Sequence, residues 1–230
     1  EEVMWAVLTR SDPATSIDII TNAWSTPLDP RIEPDRKAKG DFTNSRAIID
    51  ATRPYTVTGA PRVVKGKVLI GNGGADMGVR GYVSAFDART GALAWRFFTV
   101  PKPGEPGSET WKDNHNAWKI GGAGVWSIGS FDPDLNIIIN GTGDAFPSYQ
   151  PEFRPGDNLF SNSVVALDVD TGKLSWHYQV VPNDVFDWDS LWELILADID
   201  VAGQKRKVMM QLNRNAFLYV IDRTNGGLIS

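Results

Sequence analysis

The chain has 230 residues, 42% hydrophobic and 22% charged, with a formal net charge of −5. That balance supports a globular core and withholds the basic field that nonspecific nucleic-acid binding needs, so nucleic acid is excluded as a partner. There is no cysteine, which removes disulfides, thiolate metal sites and a catalytic thiol. No apolar run approaches the roughly 18 residues of a membrane span, and the opening EEVMWAVLTR lacks the basic-then-apolar order of a signal peptide. With 22 Gly, 14 Pro and 9 Trp the sequence is rich in turns and indoles, which points to an all-β fold.

Residues 1–54 show weak periodicity and form a separate N-terminal segment in this reading. From residue 61 the chain reads as hairpins in pairs. PRVVKGKVLIG (61–71) and AFDARTGALAW (85–95) make the first pair. The stretch 100–123 is Pro- and Gly-rich and reads as a long excursion. GVWSIGSFDPDLNIIING (124–141) and ALDVDTGKLSW (166–176) make the second pair, ELILADIDVAGQKRKVMMQL (193–212) and VIDRTNGGLIS (220–230) the third. The second hairpin of each pair repeats one pattern: a strand ending at Asp87, Asp168 or Asp222, a turn holding Gly91, Gly172 or Gly226, and a returning strand that carries Trp95 or Trp176 in the first two. Asp can bond its own backbone in such turns and Gly accepts positive φ. Two hairpins give four strands, one propeller blade, so the predicted blades are 61–99, 124–180 and 192–230.

Strand parity then assigns loops to faces. In an up-and-down blade the loop from strand two to strand three and the link from strand four to the next blade leave from the same end. GNGGADMGVRG with Asp76, NGTGDAFPSYQ with Asp144, NRNA with Arg214 and the link NDVFDWDS (183–190) with Asp184, Asp187 and Asp189 should therefore share one mouth. Trp126, placed at the start of an innermost strand, and Thr58, just before one, belong near it too. A lone loop Asp is usually a turn former, but acids from three loops beside an arginine and an indole point to a site for a hard cation such as calcium, which takes several oxygen ligands. The glycines of GGAG (121–124) would let a planar cofactor approach the Trp126 indole.

Other motifs carry less. GNGGAD lacks the third glycine and the following helix of a dinucleotide loop. The sequon at Asn140 sits at a strand end, and His115 and His177 are too dispersed for a metal triad. Trp95 and Trp176 recur at equal places, which suits packing between blades.

Several long stretches in order (YTVTGAPRVVKGKVLIGNGGADMGVRGYVSAFDARTGALAW, GGAGVWSIGSFDPDLNIIINGTGD, RPGDN, ALDVDTGKLSW, FDWDS and RNAFLYVIDRTNG) resemble the quinoprotein alcohol dehydrogenases that use pyrroloquinoline quinone. The resemblance runs from about residue 55 to 230 and implies part of an eight-bladed, all-β propeller with four-stranded antiparallel blades and tryptophan-docking repeats. It implies oxidation of alcohols in the periplasm, with electrons passed to a cytochrome c, and calcium or a lanthanide beside the quinone. A membrane-associated partner subunit and homo-oligomers are further expectations. By position, Asp76, Asp144, Asp187 and Asp189 match metal ligands, and Asp187 also matches the catalytic base. Trp126 matches the ring beneath the quinone, Thr58 and Ala75 match cofactor contacts, and Arg214 matches the arginine that polarises the quinone oxygens.

This chain departs from the family at Asp76, where the family has Glu, at Asp144, where it has Asn, and in lacking the vicinal cysteine pair. About three blades cannot close a ring, so a fragment of a longer enzyme, inactive alone, or an open reading frame whose beginning is scrambled, is expected. A non-catalytic propeller scaffold, or a quinoprotein dehydrogenase for sugars or polymeric alcohols, are the alternatives.

Overall fold

The structure is a computed structural model that describes residues 17–24, 34–39, 41, 43–49, 59–112 and 116–230. It divides into two compact units, Glu1–Pro54 and Tyr55–Ser230. In the first, β1 (Ile17–Trp24) pairs antiparallel with β2 (Thr43–Ile49), and a short helix α1 (Pro34–Ala38) lies between them in sequence. Thr58 and His115 lie outside the described residues.

The second unit holds three antiparallel sheets. The first runs in the order β3 (Arg62–Val64), β4 (Lys67–Gly71), β5 (Tyr82–Asp87), β6 (Leu93–Phe98). The second runs β7 (Ser130–Asp132), β8 (Ile137–Gly141), β9 (Ser163–Asp168), β10 (Leu174–Gln179). The third has β11 (Ile195–Val201), β12 (Gln204–Leu212) and β13 (Leu218–Asp222), followed by a single bridge from Ile221 to Leu228 where a fourth strand was predicted.

Successive residues of a strand face opposite sides, and the middle sheet uses both. Ile138 and Leu167 pack towards the first sheet with Leu69, Val83 and Trp95. Ile137, Ile139, Val164 and Ala166 pack towards the third with Met209 and Ile221. A sheet buried on both faces reads as unbroken apolar runs, which is why NIIING and SVVAL lack alternation.

The repeated turn explains its own sequence. Asp168 Oδ1 accepts hydrogen bonds from the amides of Asp170 (3.2 Å) and Thr171 (2.8 Å) and from the Thr171 hydroxyl (2.7 Å), while Gly172 turns at φ 70°. Asp87 and Asp222 cap their turns through Thr90 and Thr224 in the same way. The glycine also has a packing role. Trp95 Nε1 donates to the Val169 carbonyl at 2.9 Å, and a Cβ on Gly172 would lie 2.5 Å from the Trp95 ring. Trp176 repeats this one sheet further on, donating to the Arg223 carbonyl at 2.9 Å with Gly226 beneath its ring. The first and second blades thus each plug an indole into the next blade's turn. Gly91, the equivalent glycine of the first blade, has no described atom within 4 Å of where its Cβ would be.

Removing the turn acid leaves its amides and hydroxyl to find other partners. Asp168→Ala is expected to cost about 1–2 kcal/mol, read as a lowered midpoint in urea unfolding with an unchanged slope.

The expected strand position of Trp126 needs correction. Trp126 does not begin a strand; it lies in irregular chain ahead of β7, where Gly122 (φ 70°) and Ala123 (φ 52°) turn the backbone and the segment 121–126 is held by loops of neighbouring sheets. Val125 N donates to the Asn72 carbonyl (2.8 Å), and the Gly124 carbonyl accepts from Gly143 N (2.8 Å). The glycines of GGAG accordingly serve close backbone approach: a Cβ on Gly122 would lie 2.7 Å from Phe146 N and 2.8 Å from the Asp144 carbonyl oxygen.

Candidate functional site

Three loops from the same end of the sheets meet. After β4, a turn at Ala75–Met77, flanked by the left-handed Gly74 (φ 89°) and Gly78 (φ 70°), exposes Asp76 and buries Ala75. After β8, Asp144 sits 2% exposed. After β10 comes NDVFDWDS. Carboxylate oxygens of Asp76, Asp144 and Asp187 all lie within 4.8 Å of one another. Asp189 joins them through its Oδ1, which accepts from the Asp144 amide at 2.9 Å.

The three acids of NDVFDWDS divide their work. Asp184 is buried and builds the loop: Oδ1 accepts from the Phe186 amide (3.0 Å), and Oδ2 from the Trp188 amide (2.7 Å) and Asn162 Nδ2 (3.0 Å). Around that centre the chain turns with Asp187 at φ 57° and Asp189 at φ 49°, a region that Asp tolerates better than most residues. Phe186 and Trp188 stack at 5.0 Å on the outside. Tyr149 donates its hydroxyl to Asp187 Oδ2 at 3.3 Å.

Burial and crowding raise the proton affinity of these acids. Burial pushes Asp144 up to about 7, with Asp189, Asp187 and Asp76 adding repulsion and Ser148 opposing it. Burial likewise pushes Asp189 up to about 6, against the hydrogen bond from the Asp144 amide. Asp187 is raised by burial and by Asp76, and lowered in part by Tyr149 and Arg214. Arg214 does not neutralise the cluster directly: its Nη1 donates to the Asp187 carbonyl oxygen (2.8 Å), and the guanidinium lies 5.8 Å from the Trp192 ring.

An acidic cluster alone is weak ground for an ion. Here Asp144 Oδ2 is buried without a hydrogen-bond partner, a state that costs free energy unless something else satisfies the oxygen. A hard cation liganded by carboxylate oxygens would do so, and the donor set fits one. Trp126 is half-buried, meets Trp192 edge-on at 6.5 Å, and continues through Trp192 to the exposed Arg214.

Residues 39–230 match the family model described as glucose/ethanol/alcohol dehydrogenase, beta-propeller domain. The chain belongs to this dehydrogenase family. Among curated relatives of the family, quinohemoprotein alcohol dehydrogenase ADH IIB of Pseudomonas putida is 49% identical over 200 residues, covering 81% of this chain and 29% of the relative. The quinohemoprotein alcohol dehydrogenase of Comamonas testosteroni is 49% identical over 187 residues, 76% of this chain and 26% of the relative. Its crystal structure superposes with a TM-score of 0.73 at 44% identity, covering 81% of this chain and 30% of that one. A europium-containing methanol dehydrogenase superposes with a TM-score of 0.71 at 36% identity, covering 83% of this chain and 36% of that one. The chain thus spans less than a third of the length of the curated relatives named here. Residues 1–51 match a different family model, described as the 3-octaprenyl-4-hydroxybenzoate carboxy-lyase C-terminal domain.

The structure brings Asp76, Asp144, Asp187, Asp189 and Arg214 to one mouth, with Ala75 beside Asp76 and Trp126 joined through Trp192. Sequence reasoning passed over Tyr149, Trp192 and Arg154. Tyr149 follows Asp144 in the same loop, a signal that was available; the burial of Arg154 has none in the sequence.

Proposed function

We propose that the complete protein oxidises alcohols to aldehydes with pyrroloquinoline quinone and a bound metal ion, and that this chain supplies the metal-binding and proton-accepting side of the site. The carrying observation is the convergence of three loop carboxylates within 4.8 Å around a buried, unpartnered Asp144 oxygen. When bound, the quinone supplies the hydride acceptor and the ion a positive charge beside it. Asp76, Asp144, Asp187 and Asp189 would hold the ion, and Trp126, Ala75 and Arg214 would hold the cofactor. Asp187 accepts the alcohol proton on its carboxylate, oriented by the Tyr149 hydroxyl. Its raised proton affinity makes it a better base than a free Asp.

Four acids at one mouth favour a trivalent ion over calcium, and the europium-containing relative supports that reading. Lanthanum is expected to bind at least about tenfold more tightly than calcium, since each extra ligand charge counts more against a higher-charged ion. Competition titrations against a luminescent lanthanide check it; equal affinities would return calcium to first place. The relatives' names, quinohemoprotein and dehydrogenase subunit, support electron transfer to a haem protein such as cytochrome c and a partner subunit. A periplasmic location and homo-oligomers belong to the same proposal. No helix among the described residues is long and apolar enough to cross a membrane.

The test is reconstitution of the complete protein with quinone and either calcium or lanthanum, following dye reduction over a panel of primary alcohols. Ion-dependent turnover is expected. Failure to bind either quinone or ion would favour the scaffold alternative, and full occupancy with no turnover on any primary alcohol would favour a dehydrogenase for sugars or polymeric alcohols.

A further inference from the structure

We infer that Arg154 is a clasp between the loops of Asp144 and Asp187, and that it thereby sets which ion radius the carboxylates accept. The side chain is wholly buried, at 0% exposure. Its Nε donates to the Pro147 carbonyl (2.8 Å) and Nη2 to the Ser148 carbonyl (2.7 Å), both just downstream of Asp144. Nη2 also donates to the Asp184 carbonyl, and Nη1 to Asn183 Oδ1 (3.3 Å), both just upstream of Asp187. The remaining bond runs from Nη1 to Asn158 Oδ1 (2.9 Å), while Asn158 Nδ2 donates back to the Arg154 carbonyl (2.8 Å) and fixes the base of the fork.

A guanidinium has five N–H donors in one plane, and here five acceptors meet them, two in each metal-bearing loop and one at the base. Lysine offers a point of three donors and cannot span both loops in that plane. The consequence for the site is geometric. Asp144 lies in the β8–β9 loop and Asp187 in the link from β10 to β11, so their separation depends on whatever ties those two connections together. Ion selectivity among oxygen sites follows cavity size and rigidity, and a rigid tie converts a set of carboxylates into a gauge. Arg154 touches none of the four acids' carboxylates in a described hydrogen bond or ion pair, so it acts as a positioning residue.

The inference rests on the metal reading above. Its test uses the complete protein, with terbium luminescence sensitised by nearby aromatic residues and displaced by lanthanum, a large ion, or lutetium, a small one. The protein is expected to favour one radius by about tenfold. Arg154→Lys is expected to weaken binding about 10- to 100-fold, the range for residues that support ligands, and to bring the two affinities within about threefold. A role in stability alone would lower the unfolding midpoint and leave the lanthanum-to-lutetium ratio unchanged.

Asn183→Gly guards against a variant that fails to fold. It removes one acceptor of the clasp where the backbone, at φ 46°, already suits glycine, and it is expected to shift the ratio in the same direction by a smaller amount. No terbium binding by the complete parent protein would overturn the metal reading itself. Binding without radius preference, or an unchanged ratio in every folded variant, would overturn the clasp alone.

Discussion

Asp187→Asn in the complete enzyme is expected to lower turnover by about 100- to 10,000-fold, the usual contribution of a positioned base, while quinone remains bound. Asparagine suits the φ of 57° found there as well as aspartate does, and its carbonyl oxygen can still accept the Tyr149 hydroxyl. The backbone carbonyl that takes Arg214 Nη1 is untouched. What is lost is the negative charge and the site for the alcohol proton. Steady-state dye reduction under saturating ion, beside the quinone absorbance of the same samples, separates loss of chemistry from loss of cofactor. Turnover within about tenfold of the parent would remove Asp187 from the role of base.

The second large effect concerns stability. Asp144 has its folded pKa raised to about 7 from an ordinary value of 3.8. Below about pH 4 both folded and unfolded chains hold the proton, and the acid has no net effect. Between pH 4 and 7 the folded chain keeps a proton that the unfolded chain has released, so stability falls as pH rises. Above pH 7 the full penalty applies, about 4 kcal/mol if this acid acted alone. Ion-free Asp144→Asn is therefore expected to be more stable than the parent by roughly 2–4 kcal/mol at pH 8 and nearly equal at pH 4. Saturating ion should reverse the order at pH 8, because the parent's charge then has a partner. Urea unfolding at both pH values, with and without lanthanum, reads all four cases; a variant no more stable than its parent at pH 8 without ion would contradict the burial argument.

Much of this arrangement was readable beforehand because the repeating turn is local chemistry. An Asp, a Thr or Ser-like hydroxyl partner, and a Gly announce where each hairpin reverses, and parity then fixes which loops share an end. The same rules could not apportion the three acids of NDVFDWDS, since the difference between Asp184, which gathers amides, and Asp187, which faces the cluster, arises only when the loop closes on Asn162. Trp126 was misplaced for a similar reason: the segment before it turns irregularly through Gly122 and Ala123 without belonging to a strand, and that segment's partners, Asn72 and Gly143, come from other loops. Arg154 looks like any surface arginine until two loops fold over it. The match of residues 1–51 to a second family had no periodic signal to reveal it.

The indole-and-glycine joint makes neighbouring blades directional, like links with a hook at one end and an eye at the other. In the first blade the eye, at Gly91, has no described hook beside it. In the third, the place corresponding to Trp95 and Trp176 is taken by Ser230. Two copies of this chain meeting head to tail would therefore bring a hydroxyl to a seat shaped for an indole, and would forgo both the stacking and the buried N–H bond that join the blades within each copy.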